Sequence, residues 1–174
     1  MEWLPEAAPS VTRMRIAASR PQPPALLTAV QASARALQVP VAPPVIVKSV
    51  EELPSTLSQA KREGVGGLIF PRDAFTGPLR QRVVELVATS RIPAIYGQRE
   101  WVEAGGLMSY GPSFVPNFRR AVPFVDRVLK VARLGDLPVE QPTTFEFVRN
   151  ARAARSRGLA LAPTLLARAD EVLQ

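Results

Sequence analysis

The sequence predicts an α/β protein built on a doubly wound, mostly parallel, flavodoxin-like sheet. Three observations carry that prediction. Short apolar runs of strand length alternate with amphipathic helical stretches from about residue 14 onward. The runs at 67–70 (GLIF) and 93–96 (PAIY) are apolar at every position, as strands covered on both faces must be. Glycines then punctuate the pattern, and Gly105-Gly106 end a helix by supplying positive φ at low cost. Residues 91–111 (RIPAIYGQREWVEAGGLMSYG) show the grammar at its densest: strand, two helical turns, glycine pair, second strand, and a stop at Gly111-Pro112.

Taken in order, residues 1–12 carry Pro5 and Pro9 without a clear period and read as a loose lead-in. Residues 14–18 are a weak first strand, followed by a proline-rich loop. Leu26, Leu27, Val30, Ala34 and Leu37 form one stripe of a helix over 25–37. Residues 39–47 carry Pro40, Pro43 and Pro44, so that strand belongs at an edge. Ser49 with Glu52 three residues on predicts a capping box for a helix reaching about Glu63. After the strand at 67–70 comes a loop, 71–77, and a helix over 78–89 with Leu79, Val83, Val84, Leu86 and Val87 on its apolar side. Residues 117–134 form the longest helical pattern, with Pro123 inside it as a predicted kink. An extended linker, a strand at 144–148, a short helix over 150–157 and a last helix over 164–172 complete the chain. The expected sheet order for the first five strands is 2-1-3-4-5.

The 174 residues fit one domain with a real core. A hydrophobic content of 47% excludes disorder as the main description. No apolar run reaches the roughly 18 residues of a transmembrane helix. The N-terminus does not read as a secretory signal. With no Cys and no His, disulfides, thiolate catalysis, Ser-His triads and His or Cys metal sites are excluded. The formal charge of +7 raises nucleic-acid binding, but the Arg residues are scattered along the chain, as for a solvated surface.

Residues 91–111, together with 136–142 (DLPVEQP) and 165–172 (LLARADEV), resemble the substrate-binding proteins of ABC transporters. The branch is the uncharacterised or tryptophan/tyrosine type, with a type I periplasmic-binding-protein fold. The likeness runs from about Met14 to the C-terminus and covers the second half of a family member. It implies residues 13–111 as a second lobe and 112–143 as a crossover whose long helix would pack on a first lobe. Residues 144–174 would be the return strand and C-terminal helices of the second lobe. It implies a truncated copy of a solute-binding component of an ABC-type importer, without catalysis, cofactor or metal. The ligand would be a small, amino-acid-like molecule held between two lobes, the partner a membrane permease, and the location periplasmic or extracytoplasmic. The missing lobe would leave Phe118, Val122, Val125 and Leu129 exposed and open to self-association.

The candidate ligand-binding residues are Asp73, Tyr96, Ser109 and Tyr110. All fall at or just past the C-terminal ends of predicted parallel strands, the edge where open α/β sheets bind ligands. Asp73 either holds a ligand amine or hydroxyl or makes local turn hydrogen bonds; family members carry an aspartate in this loop. Tyr96 either lines the cleft or is a core tyrosine with its hydroxyl at the surface. Ser109 and Tyr110 either face the ligand or terminate the strand before the crossover.

Other constellations are weaker. Arg99, Glu100 and Glu103 read as a solvated helix face with local ion pairs. Glu100 with Asp73 is the one paired-carboxylate arrangement an enzyme could use. Arg149, Arg152, Arg155 and Arg157 are either a phosphate-binding stripe or the outer face of a terminal helix. Residues 64–67 (GVGG) precede a strand and open no helix, so they form no phosphate cradle. The alternative to a solute-binding module is a basic nucleic-acid-binding or regulatory α/β module, although no nucleic-acid partner is expected.

Overall fold

The structure is a computed structural model, and it describes residues 3–9, 11–72, 78–130, 135, 137–159 and 163–174. Strands β1 (Met14–Ala18), β2 (Val41–Ile46), β3 (Gly67–Phe70), β4 (Ala94–Tyr96), β5 (Met108–Pro112), β6 (Phe145–Asn150) and β7 (Glu171–Leu173) form one sheet in the order β2-β1-β3-β4-β5-β6-β7. The pairs among β1 to β5 are parallel, in the 2-1-3-4-5 order that the alternation predicts. β6 then runs antiparallel to β5, and β7 is parallel to β6.

Proline sets the edge. β2 pairs with β1 at Met14↔Val41 and Arg15↔Ala42, and resumes at Ala17↔Val45 after a register shift. Pro43 and Pro44 sit in that irregularity, where neither has to donate to the ladder.

Helices cover both faces. On one, Leu53, Leu57 and Ala60 of α3 (Leu53–Arg62), Val83, Val84 and Val87 of α4 (Arg80–Ser90) and Trp101 of α5 (Glu100–Glu103) join one core cluster with Leu68, Phe70, Ala94 and Tyr96. On the other, Val30 of α2 (Pro24–Ala36) packs with Ile16 and Ala18. Beside it, Ile95, Met108 and Phe147 meet Leu4 of α1 (Trp3–Ala7) and Leu165 of α8 (Pro163–Ala167). Consecutive residues such as Ala94 and Ile95 serve opposite cores, which is why these strands read as continuous apolar runs.

Several elements differ from the sequence reading. Residues 3–9 are not a loose lead-in. Leu4 and Ala8 are fully buried, and a Cβ on Gly67 would fall 2.8 Å from Val11 Cγ1 and 2.9 Å from Leu4 Cδ2. The missing side chain at Gly67 is what lets this segment lie against β3. The capping box does not form: Ser49 makes no cap bond, and Glu52 Oε2 accepts instead from the Lys48 backbone N–H at 3.0 Å. A short 3-10 turn, Val50–Glu52, precedes α3, and Pro54 takes a first-turn position where its missing N–H is harmless. The final helix stops at Ala167, and Glu171–Leu173 returns as an edge strand on β6. α7 (Ala151–Ser156) is capped by Asn150, whose Oδ1 accepts from Ala153 N–H at 2.7 Å.

The long helix α6 (Phe114–Leu129) starts three residues before the predicted start and carries Pro123 in its interior. None of its residues is buried. Phe118 is 72% exposed, Val125 56% and Leu129 78%, against 1% for Leu68 in β3 and 6% for Ile95 in β4.

Candidate functional site

The ends of β3, β4 and β5 meet in backbone contact at the C-terminal edge of the sheet. Gly97 N–H donates to Phe70 O at 2.9 Å. A Cβ on Gly97 would fall 2.9 Å from Arg72 N, and a Cβ on Gly111 would land inside the Gly97 carbonyl. Two glycines are therefore required for the strands to close up here. The result is a tight backbone ledge on which side chains from three strand ends converge.

The four sequence-predicted residues fare differently on this ledge. Tyr110 is 44% exposed, with its ring stacked on Phe145 at 5.8 Å between centroids and tilted against Trp3 at 6.2 Å. Ser109, its neighbour in β5, is fully buried, and its Oγ has no hydrogen-bond partner among the described residues. Tyr96 lies in the core in a three-ring cluster, 5.3 Å from Phe70 and 5.0 Å from Trp101, which are 6.2 Å from each other. Its hydroxyl is buried without a partner among the described residues. Burial pushes the phenol well above its usual range, and the nearby Arg157 charge opposes that shift weakly. Asp73 lies outside the described residues, and with it the Asp73–Glu100 arrangement.

Two charged groupings take forms that linear spacing does not give. Arg99 is not part of a purely local pattern: it bonds Glu103 at 3.0 Å, Glu146 of β6 at 3.2 Å and Glu171 of β7 at 2.8 Å. The hydrogen bonds to Glu103 and Glu171 hold its guanidinium charged beyond the ordinary arginine range. The four C-terminal arginines do not form a stripe. Arg149 is fully buried, Arg157 is half-buried and donates to Ala153 O at 2.9 Å, and Arg152 and Arg155 are exposed.

Beside the ledge lies a groove of about 440 Å³ between α6 and residues 138–142. Its lining includes Arg72, Phe114, Phe118, Arg120, Phe124 and Glu140. Arg72 leaves the end of β3 and sets its guanidinium over the Phe114 ring, 4.5 Å from the centroid. Arg120 pairs with Glu140 and donates to Thr143 Oγ1 at 2.8 Å. Sequence reasoning missed this groove because Arg72 and Phe114 share no periodicity. The one available signal was that both follow strand ends. Among the described residues no cluster of three His, Cys, Asp or Glu could hold a metal ion, and no helix is long and apolar enough to cross a membrane.

The family model for ABC transporter substrate binding protein matches residues 13–173, nearly the whole chain. The chain belongs to the ABC transporter substrate-binding protein family. The fold of this family member is shared by solved structures of low sequence identity. An ABC domain in complex with L-Trp from Streptococcus pneumonia superposes with a TM-score of 0.85 at 23% identity, over 99% of this chain and 58% of that one. A conserved domain protein from Vibrio cholerae gives 0.84 at 17%, over 98% and 58%. A ligand-free, open substrate-binding protein with adhesive properties from Clostridium difficile gives 0.68 at 15%, over 99% and 58%. The chain thus spans less than two thirds of the length of each. No curated protein matches it.

Proposed function

We propose that this chain is the second lobe of a solute-binding protein serving an ABC-type importer, and that it holds an amino-acid-like molecule against the C-terminal edge of its sheet. One observation carries the reading: in a member of this family, an aromatic hydroxyl-bearing side chain, Tyr110, stands open at that edge. Ser109, the next residue in β5, points to the opposite face of the sheet and is fully buried, so it supports the strand end beneath the ligand edge. Asp73, three residues past the end of β3 in sequence, would add a carboxylate for a ligand amine. Tyr96 serves underneath as packing that fixes the β4 end. Binding by closure of two lobes needs a second lobe, and the rest of the neighbours' length is room for one. We assign the stripe Phe118, Val122, Val125 and Leu129 to contact with that lobe. Exposure is the sole support for self-association through the same side chains. Delivery to a membrane permease on the extracytoplasmic side belongs to the same reading.

A calorimetric and NMR titration against a panel of amino acids tests it. One lobe supplies part of the contacts, so this chain alone should bind no tighter than about millimolar. Tyr110→Ala and Asp73→Ala should each weaken that binding further. Binding indifferent to both substitutions would place the solute elsewhere.

A further inference from the structure

We propose that the edge of the sheet opposite the ligand edge is a docking surface for an anionic phospholipid bilayer. Arginines that lie scattered in the sequence gather there. In a parallel α/β sheet each helix returns its C-terminus to the start of the next strand. Exposed Arg35 ends α2 before β2, Lys61 and Arg62 end α3 before β3, and Arg91 caps α4 before β4. Arg13 directly precedes β1, and Arg152 follows β6, whose antiparallel course brings its end to the same edge. Backbone bonds tie these turns into one row: Met14 N–H to Pro40 O, Gly66 N–H to Arg13 O and Leu68 N–H to Pro93 O, each at 2.9 Å, and Asn150 N–H to Leu107 O at 3.0 Å. Five strand spacings separate β2 from β6, so the row is about 25 Å long.

The balance of charge at this edge is one-sided. Across residues 35–40, 61–66, 91–93, 104–107 and 150–152, Glu63 is the one carboxylate, and Arg15 and Gln59 already hold it. Glu103, just before one of these turns, is held by Arg99 at 3.0 Å. Glu51, Glu52, Asp170 and Glu171 fall at the opposite edge, so an anionic plane attracts the basic edge and leaves the ligand edge turned away. Local structure explains part of the row. Arg13 Nη1 donates to Glu63 O at 3.0 Å, and Arg35, Lys61 and Arg62 complement helix C-termini. It does not explain Arg91 or Arg152. Arg91 holds φ 59°, a left-handed conformation that Gly or Asn takes at less cost. Arg152 stands in the first turn of α7, where a cation is disfavoured. Hollows of about 540 and 650 Å³ open at the two ends of the row, the first lined by Arg35 and the second by Arg152 and half-buried Arg157, with room for headgroup phosphates. A nucleic acid fits less well. These turns contain no aromatic residue to stack on single-stranded bases, and the helices end at this edge rather than project from it into a duplex groove.

The test is co-sedimentation of the chain with vesicles of phosphatidylcholine alone and of phosphatidylcholine with about one third phosphatidylglycerol. Partitioning onto the anionic vesicles should be about tenfold stronger than onto the neutral ones, and should fall to the neutral level as salt is raised from about 0.05 to about 0.5 M. Combined Arg62→Gln, Arg91→Gln and Arg152→Gln should remove most of that tenfold preference. Combined Arg20→Gln, Lys48→Gln and Arg82→Gln takes the same charge from exposed positions toward the ligand edge and should change partitioning by less than about twofold. Circular dichroism reports whether each variant is folded. Equal partitioning onto neutral and anionic vesicles, or an equal loss in the two variants, overturns the assignment. So does binding to a DNA duplex that exceeds binding to the vesicles and is lost in the first variant, which gives the edge to nucleic acid.

Discussion

Arg149 gives the sharpest prediction, because it is a buried charge without a hydrogen-bond partner among the described residues. It sits in β6 opposite Met108 of β5 and beside Val172 of β7, fully buried. Nε, Nη1 and Nη2 all lack hydrogen-bond partners among the described residues, and the guanidinium lies 5.4 Å from the Phe147 ring centroid. Burial lowers its pKa, and Glu6 opposes that only by charge at a distance, since the Glu6 carboxylate bonds Arg168 at 3.3 Å. Each unsatisfied buried polar group costs about 1–3 kcal/mol, more when charged. Replacing buried ionic groups by apolar ones of similar volume commonly stabilises by about 1–4 kcal/mol. Arg149→Met should therefore raise the urea midpoint at unchanged m-value, by about 1–4 kcal/mol of stability, or roughly 2–4 °C in Tm per kcal/mol. The sign with pH follows from the lowered pKa of a base. The penalty is complete at every pH below the folded value and is relieved only as pH rises through it. The gain should therefore be flat from about pH 5 to 8. Glu6→Gln separates the contributions: it removes the Arg168 pair in both backgrounds, so it should destabilise the parent chain more than it destabilises Arg149→Met, and the difference is the Glu6–Arg149 coupling. A loss of stability in Arg149→Met would show that the guanidinium has a compensating partner, and would refute the reasoning.

Two further outcomes follow from the same geometry. Gly111→Ala puts a methyl group into the Gly97 carbonyl, where backbone cannot yield without parting β4 from β5; overpacking of this kind costs about 1–3 kcal/mol, and chemical denaturation should show it. The Arg15 guanidinium, buried in β1, and the Gln59 amide hold Glu63 below its ordinary pKa. That contribution is present above the usual glutamate value and is lost as pH falls through the lowered one, so acid unfolding monitored by circular dichroism should have a shallower limb in Glu63→Gln than in the parent.

The sequence disclosed the parallel sheet because its strands are covered on both faces and therefore lack alternation. Pro43 and Pro44 likewise disclosed the edge, since proline cannot sit in a central ladder. The antiparallel turn of β6 was not legible: a strand's direction depends on the path of the crossover, not on its own residues. The burial of residues 3–9 was hidden for a related reason. Leu4 and Val11 carry no period over so short a run, and the decisive residue is Gly67, far along the chain. At the site, Tyr96 and Tyr110 look alike in sequence, each an aromatic hydroxyl at a strand end. Their difference is neighbours: Phe70 and Trp101 enclose the first, whereas the chain leaves the second at the rim. Arg149 read as one of four arginines, although Phe147 two residues before it marks the same, inward face of β6.

The long helix shows how stability and function divide in this chain. Burying one Val or Leu side chain contributes about 1.5–3 kcal/mol, so the exposed stripe of α6 forgoes an amount comparable with the net stability of a domain. The sheet does not need it: the described buried core clusters contain no α6 residue. Among the described residues the helix is held by Arg120 to Glu140 and Thr143, Ser113 N–H to Thr144 O at 3.1 Å, and the Arg72–Phe114 contact. All four attachments lie at the helix start or on the linker that returns to β6. Phe118 belongs at once to the exposed stripe and to the wall of the Arg72 groove. A surface that covers the stripe must therefore also reshape the groove.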